Sequence, residues 1–251
     1  MSDCDSQYNS ADTRTQLLDL YTRLANEPAS DFGWGKGKEN ARALGYAKVM
    51  LNQLPESVWE SAAAVGNPFS LGSIQAGETV VDVGCGAGAD ACVAALLVGN
   101  DGKVFGIDTT PAMVYKAARN AAAAGLTQAI FQEADMTALP LPDDHADVVI
   151  SNGALNLAEN KDAVLGEIFR VLRPGGRLQI ADMVRDPSGK DSAFCSGTES
   201  WVDCVSGTLE PDIFLSMLKT AGFLDVELTQ FTGYRTAAST IGALIRAVKP
   251  R

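Results

Sequence analysis

The chain has 251 residues, of which 46% are hydrophobic and 20% are charged, and its formal net charge is −11. This length and composition predict one soluble domain of enzyme size, with or without an appendage. The negative charge argues against nucleic acid as the main substrate, because an acidic chain repels phosphate backbones. No apolar run reaches the roughly 20 residues of a membrane span. The N-terminus is polar and unlike a secretory signal, so we expect a cytoplasmic protein without membrane contact.

The cysteines and the scarcity of histidine argue against a metal site. No C-x-x-C pair occurs, and His145 is the only histidine. A cytosolic chain with this pattern is predicted to have neither a disulfide framework nor a bound metal. His145 lies in an acidic loop and is interpreted as a surface residue. The five cysteines are Cys4, Cys85, Cys92, Cys195 and Cys204.

The first quarter of the chain is predicted to be helical. Leucines at near-helical spacing indicate a helix over residues 11–27, and further helices are expected over 38–54 and 55–64. Glycine and proline at 66–68 then break the chain. Residues 1–65 are therefore predicted to form an N-terminal helical cap.

Residues 66–251 are predicted to form one Rossmann-like α/β domain in which strands alternate with helices. Strands are expected over 78–83, 103–108, 129–134, 146–151 and 176–181, and helices over 90–98, 111–124, 161–172 and 211–221. The strands are short apolar runs, which is typical of a parallel sheet with helices on both faces. Two closing strands, over 225–231 and 239–248, give seven strands in a mostly parallel sheet. The polar segment at about 185–209 is interpreted as a substrate loop.

A glycine-rich turn joins the first strand to the next helix. The string VDVGCGAG has glycines at alternate positions, where the backbone can turn sharply and approach a ligand closely. Dinucleotide enzymes use a similar turn to bind an anion at a helix N-terminus. Here the spacing is G-x-G-x-G rather than G-x-G-x-x-G, and Asp82 precedes it. A carboxylate at that point suits a cationic amino group and would repel a pyrophosphate.

Polar residues follow the next three strands at their carboxyl ends, where open α/β sheets bind ligands. Asp108 ends the second strand, and a carboxylate there can accept both hydroxyls of a ribose. Asp135 and Met136 follow the third strand and are interpreted as contacts to an adenine amino group and ring. Ser151 and Asn152 end the fourth strand. A capping role for Asp108 and ordinary packing for Met136 remain open as alternatives.

In combination, these motifs resemble a class I S-adenosylmethionine-dependent methyltransferase. The strings VVDVGCGAGAD, FGIDTT, EADMTALPLPDDHADVVIS and VLRPGGRLQIAD carry the resemblance, which covers about residues 66–184. It implies S-adenosylmethionine as the cofactor and the strand order 3-2-1-4-5-7-6. It also implies that Asp82 and the glycine turn hold the methionine part of the cofactor. The expected cofactor contacts are Asp82, Gly84, Cys85, Gly86, Asp108, Thr109, Met113, Asp135, Met136 and Ser151.

Several flanking strings resemble the arsenite methyltransferase branch of this superfamily, among them LGY, GNP and WVDCVSG. That branch binds trivalent arsenic through cysteine thiolates, which suit a soft atom. This chain has Val65 and Gly153 where the branch has two of its cysteines, and only Cys204 matches. The resemblance therefore implies the same scaffold with an altered acceptor site. Arsenic methylation through Cys195 and Cys204 remains open.

The methyl acceptor is expected to be a small molecule. It is either a soft nucleophile (arsenite, or a selenium or sulfur compound) or an aromatic or other organic metabolite. Cys204 and Asn152 are the predicted catalytic residues, and Trp34, Cys195, Trp201 and Cys204 are the predicted acceptor contacts. Two other classes compete with this interpretation. One is a nicotinamide-dependent oxidoreductase, which the glycine spacing disfavours, and the other is a catalytically silent cofactor-binding module.

Overall fold

A computed structural model describes residues 10–189 and 207–251 of the chain. The predicted acceptor residues Cys195, Trp201 and Cys204 lie outside these described residues. Within the two described ranges, no helix has both the length and the apolar character needed to cross a membrane.

The N-terminal part of the chain is helical, as predicted; its first helix has the predicted length, and the later ones are shorter than expected. They are α1 (Ser10–Asn26), α2 (Gly37–Ala43), α3 (Lys48–Gln53) and α4 (Glu56–Trp59). The single helix predicted over 38–54 is wrong, because the chain turns between α2 and α3. Gly45 has a φ of 85° there, a left-handed conformation typical of helix ends. A short 3-10 turn, Pro68–Leu71, then leads into the sheet.

Seven strands form one sheet, which confirms the predicted fold class. The strands are β1 (Thr79–Val83), β2 (Lys103–Asp108), β3 (Ala129–Glu133), β4 (Ala146–Asn152), β5 (Leu172–Arg185), β6 (Leu224–Phe231) and β7 (Thr240–Val248). Their order is β3-β2-β1-β4-β5-β7-β6, the order that the family resemblance implies. β7 is antiparallel to β5 and β6, whereas the pairs among β1 to β5 are parallel. The carboxyl ends of β1 to β4 therefore meet at the same end of the sheet.

Helices cover both faces of this sheet. They are α5 (Ala89–Val98), α6 (Pro111–Ala123), α7 (Lys161–Val171) and α8 (Pro211–Thr220), and each bound lies within one residue of its predicted position. Side chains alternate along β1, so that Val81 and Val83 pack in the core with α7 and α8, whereas Val80 packs in the core with α5. Burial on both faces explains why β1 and β4 are mostly apolar and show no regular alternation of polar and apolar residues.

The N-terminal helices pack on the α5 and α6 side of the sheet. Trp59 of α4 lies in the core that contains α5, and Leu24 of α1 packs with Met113 of α6. Lys116 of α6 holds α1 in place, because its Nζ donates to Ala25 O at 3.0 Å. One side of the strand ends is therefore walled by α1 and by the segment that follows α4.

Candidate active site

A cavity of about 460 Å³ lies at the carboxyl ends of the central strands. Its wall contains Asp82 from the end of β1, Asp108 from the end of β2 and Asp135 from the segment after β3. α1 borders the cavity with Leu17 and Leu18. The predicted cofactor contacts that line it are Asp82, Gly84, Cys85, Gly86, Asp108, Thr109, Met113, Asp135 and Met136. The fold thus brings together residues that span more than fifty positions of the sequence.

The glycine turn allows close packing at one residue and leaves open space at another. Gly84 has a φ of 74°, and a Cβ there would lie 2.2 Å from the Cβ of Ala154. Gly86 has a φ of 50°, and a Cβ there would meet no heavy atom within 4 Å. Packing therefore requires glycine at position 84, whereas Gly86 leaves room in the cavity wall.

Asp108 is half-buried and holds the glycine turn in place. Its Oδ2 accepts the N–H of Gly86 at 2.9 Å, and its Oδ1 accepts the N–H of Thr110 at 2.8 Å. Burial raises the pKa of this carboxyl, and the backbone N–H groups partly oppose the rise. Asp108 therefore accepts a backbone N–H just before α6, as a capping residue would, and it also lines the cavity. Because a carboxylate oxygen can accept more than one hydrogen bond, Asp108 can still receive ligand hydroxyls.

Asp82 is a buried carboxylate with an incomplete set of partners. It is 1% exposed, and it accepts the backbone N–H of Ala91. Its Oδ2 has no hydrogen-bond partner within the described ranges. Burial raises the pKa of Asp82 well above its ordinary value, and the neighbouring carboxylates Asp90 and Asp108 raise it further. A cationic group beside Oδ2 would satisfy this oxygen and lower the pKa again.

A further buried carboxylate, Asp90, is absent from the predicted site residues. Tyr46 donates its hydroxyl to Asp90 Oδ1 at 2.6 Å. The Nδ2 of Asn152 lies 2.8 Å from Asp90 Oδ2, 3.0 Å from Tyr46 Oη and 3.0 Å from Gly66 O. The Oδ1 of Asn152 accepts the N–H of Val65 at 3.0 Å. These bonds fasten residues 65–66 to the end of β4.

The amide of Asn152 is therefore used within the protein, so its geometry supports a positioning role rather than the predicted direct role in catalysis. The sequence does contain a signal for Asp90. It is the only charged residue in α5, ADACVAALLV, whose other side chains are all apolar. A lone carboxylate in an apolar helix directly after the glycine turn indicates a buried acid with a specific partner.

The carboxylate after β3 has a complete set of partners. Asp135 Oδ1 accepts the Thr137 N–H at 3.0 Å and its hydroxyl at 2.7 Å. The backbone bond from Thr137 is the main cause that lowers the pKa of Asp135. Arg14 Nη1 of α1 lies 3.4 Å from Asp135 Oδ2. α1 therefore reaches across the cavity to the end at which Met136 and the predicted adenine contacts lie.

Two predicted site residues, Ser151 and Trp34, are not among the residues that line this cavity in the described part of the chain. Ser151 is buried and donates its hydroxyl to Val83 O at 2.8 Å, so it links β4 to β1. Side chains alternate along a strand, and Ser151 therefore points away from the face that holds Asn152. Trp34 packs against Phe32, with ring centroids 5.6 Å apart.

The two positions at which the arsenite branch has cysteines lie side by side. A Cβ on Gly153 would lie 3.3 Å from Val65 Cγ1. Gly153 is part of the cavity wall, and Val65 is buried behind it. Cys85 is the one cysteine of the wall among the described residues, and burial raises the pKa of its thiol well above the usual value. This part of the cavity therefore has aliphatic groups where a thiolate site would need sulfur.

Residues 74–222 match a protein family described as a methyltransferase domain. The chain is 41% identical over 163 residues to an arsenite methyltransferase of Halobacterium salinarum, a match that covers 65% of this chain and 41% of that protein. It is 38% identical over 112 residues to a 2-phytyl-1,4-naphtoquinone methyltransferase of Synechococcus elongatus, which covers 43% of this chain and 47% of that protein. The chain thus spans less than half the length of these two relatives.

Among solved structures, the fold is similar to that of CrArsM, an arsenic(III) S-adenosylmethionine methyltransferase from Chlamydomonas reinhardtii. The TM-score is 0.59 at 26% sequence identity, and the match covers 86% of this chain and 74% of that one.

Proposed function

Because this chain belongs to the methyltransferase-domain family and is related to the arsenite branch of the class I S-adenosylmethionine-dependent enzymes, we propose that it transfers a methyl group from S-adenosylmethionine to a small molecule. One observation carries the proposal: Asp82, Asp108 and Asp135, which come from three neighbouring strand ends, line one cavity. Three carboxylates in one cavity favour a cationic nucleoside and disfavour an anionic dinucleotide.

The residues present fit this cofactor. Asp82 offers a buried, unpartnered oxygen to the ammonium group of the methionine part. Asp108 can accept ribose hydroxyls beside Gly86, whose missing side chain leaves space. Met136 and Asp135 border the space assigned to adenine. When bound, S-adenosylmethionine supplies a methyl group that is activated by its sulfonium centre.

The chain's own residues orient the reactants and exclude water. Leu17 and Leu18 of α1 form an apolar part of the wall. Asn152 fixes residues 65–66 against the end of β4, so that the wall beside Gly153 keeps its shape. No acid–base step is assigned to these residues, because Asn152 is a positioning residue in this arrangement.

For the acceptor, the geometry favours an apolar organic molecule. The wall contains the aliphatic side chains of Leu17, Leu18 and Leu157, and the adjacent pair Val65 and Gly153 offers no sulfur. Such a wall suits an organic metabolite, and among its described residues the only sulfur that could face a metalloid as a thiol is the buried Cys85. One relative is named for an acceptor of this kind, 2-phytyl-1,4-naphtoquinone.

Arsenite is the second candidate, and the 41% identity to an arsenite methyltransferase favours it. Arsenite binding would then depend on Cys195 and Cys204. The thiol of Cys85 is unsuitable, because it is buried and its raised pKa keeps it protonated at neutral pH.

Calorimetric titration tests the donor. We expect S-adenosylmethionine to bind with one site per chain and NADH not to bind. Binding of NADH without binding of S-adenosylmethionine would reject the methyltransferase proposal and favour an oxidoreductase.

A mass-spectrometric screen tests the acceptor. It follows transfer of an isotopically labelled methyl group to arsenite, selenite, thiols, phenols and quinols, with the wild type and with Cys195→Ser/Cys204→Ser. Methylation of an organic acceptor at equal rates in both proteins supports the organic class. Methylation of arsenite that the double variant loses supports the second candidate and rejects the first. Intact cofactor binding without turnover of any acceptor rejects methyl transfer and leaves a silent binding module.

A further inference from the structure

Trp59, the last residue of α4, has an unsatisfied buried donor at the cavity wall. It is 1% exposed and borders the cavity. Its indole Nε1 has no hydrogen-bond partner in the part of the chain that the structure describes. Leaving a buried N–H without an acceptor costs free energy, and buried tryptophans normally have a partner. The missing acceptor is therefore expected in the cavity that the ring borders.

Trp59 belongs to the end of the cavity that contains the buried carboxylates. Its ring packs edge-on against Tyr46, with centroids 5.9 Å apart and an interplanar angle of 84°. Tyr46 in turn bonds to Asp90 at 2.6 Å, and Asp90 lies close enough to Asp82 to raise the pKa of that carboxyl. The unpartnered donor of Trp59 and the unpartnered Oδ2 of Asp82 are thus at the same end of the cavity.

The other buried side-chain donors of the wall are occupied. The hydroxyls of Tyr46, Ser61 and Thr110 each bond to a group of the protein. Arg14 is the one arginine or lysine among the described wall residues, and it pairs with the carboxylate after β3, at the other end. The N–H of Trp59 is therefore the buried donor that remains for a ligand.

We propose that the Nε1–H of Trp59 binds the carboxylate of the methionine part of the cofactor, while Asp82 Oδ2 binds its ammonium group. A buried donor and a buried anionic acceptor are complementary to a zwitterion, and each would otherwise stay unsatisfied. The assignment rests on the proposed function, because it requires S-adenosylmethionine in this cavity. It gives α4, which lies outside the cofactor motifs, a role in orienting the methyl donor.

Trp59→Phe tests the assignment, because it keeps an aromatic ring against Tyr46 and removes only the N–H donor and part of the ring. We expect calorimetry to show a Kd for S-adenosylmethionine that is at least about tenfold higher than in the wild type. The Kd for decarboxylated S-adenosylmethionine, which keeps the sulfonium and the amine, should change by less than about twofold. Trp34→Phe, which removes an indole N–H outside the cavity wall, should leave both constants unchanged.

Equal losses of affinity for the two ligands, or no loss for either, would overturn the assignment. Failure of the wild type to bind either ligand would overturn the proposed function instead, so the two failures are distinguishable. If Trp59→Phe does not fold, the indole ¹H–¹⁵N resonance of Trp59 in the wild type provides the test, assigned by elimination with Trp34→Phe and Trp201→Phe. We expect a downfield shift with S-adenosylmethionine and none with the decarboxylated ligand, and equal responses would refute the contact.

Discussion

Two buried aspartates, Asp82 of β1 and Asp182 of β5, differ in their hydrogen-bond partners. Asp182 is 0% exposed, and its Oδ2 accepts the N–H groups of Leu155 and Asn156 at 2.9 and 3.1 Å. Its Oδ1 accepts the N–H of Met183 at 2.7 Å. Asp82 is 1% exposed, and one of its oxygens has no partner among the described residues. Both oxygens of Asp182 therefore have hydrogen-bond partners within the protein, whereas one oxygen of Asp82 has none among the described residues.

Neither burial nor the direction of the pKa shift separates these two residues. Burial raises the pKa of Asp182 to about 6 and also raises that of Asp82 well above its ordinary value. Their hydrogen-bond partners do distinguish them. Asp182 holds the turn after β4 through backbone N–H groups, whereas the free oxygen of Asp82 is available to a ligand. An unpartnered oxygen beside a cavity is therefore a better mark of a binding residue than burial alone.

The largest difference between the two should be in stability. Asp182→Ala leaves three buried N–H groups without an acceptor, and each costs about 1–3 kcal/mol. We therefore expect the free energy of unfolding to fall by at least about 3 kcal/mol. Urea unfolding followed by circular dichroism measures the loss. A loss below about 1 kcal/mol would show that Asp182 is not the structural acceptor of these three N–H groups.

Cofactor affinity should depend on the carboxylate at the end of β2. Asp108→Ala removes both the predicted ribose contact and the bond that holds Gly86, so we expect the Kd for S-adenosylmethionine to rise about 100-fold, or about 2.7 kcal/mol. The matched control is Glu133→Ala, because Glu133 pairs with Asp108 in the β2–β3 register but is exposed and lies outside the cavity wall. Calorimetry compares the two variants. Unchanged affinity in Asp108→Ala would refute the ribose assignment.

The stability that Asp182 contributes should depend on pH. Its folded pKa of about 6 lies above the unfolded value of about 3.9, so protonation of this carboxyl favours folding. Its contribution of about 2–3 kcal/mol is complete below about pH 4 and is lost as the pH rises through about 6.

Asp182→Asn does not titrate and isolates this contribution. We expect its penalty in the free energy of unfolding to be about 2 kcal/mol larger at pH 4.5 than at pH 7. Parallel urea unfolding of the variant and the wild type at both pH values measures the difference. The same penalty at both would contradict a raised pKa.

The smallest expected effect is at Asp82, where stability and binding should change in opposite directions. Asp82→Asn keeps an acceptor for the Ala91 N–H and removes a charge that burial and the neighbouring carboxylates disfavour. Because burial disfavours the charged form of the carboxyl and the neutral amide avoids that cost, we expect the free energy of unfolding to be unchanged or up to about 1 kcal/mol higher, most clearly at alkaline pH. The Kd for S-adenosylmethionine should rise about tenfold. A clear loss of stability would instead show that Asp82, like Asp182, has a structural role.

The sequence predicts the sheet and the acidic residues at its strand ends, because both follow from patterns among residues that are close together in the sequence. Asp82 lies one residue before the end of β1, Asp108 ends β2, and the glycine turn begins two residues after Asp82. In a parallel sheet such ends lie together, so the shared cavity follows from the alternation of strands and helices. The strand order came from the family resemblance rather than from these local patterns.

The remainder of the site depends on contacts between distant residues. Tyr46 bonds to a carboxylate 44 residues away and to the amide of Asn152, 106 residues away. No local pattern encodes such pairs. Ser151 and Asn152 are adjacent, but the alternation along β4 turns only one of them toward the cavity, and a one-residue uncertainty in register reverses the prediction. Trp59 is an aromatic residue on a short helix, which is typical of a core position, and only the missing partner of its N–H points to the proposed contact with the cofactor.

A crystal structure of the complex with S-adenosylhomocysteine would show whether Asp82 binds the cofactor, because this ligand keeps the amino-acid part of S-adenosylmethionine. We expect Asp82 Oδ2 to lie within about 3 Å of the ligand's ammonium group, or to reach it through one water, while Asp182 keeps its three backbone bonds. A complex in which the nucleoside binds elsewhere and Asp82 Oδ2 stays without a partner would contradict the account.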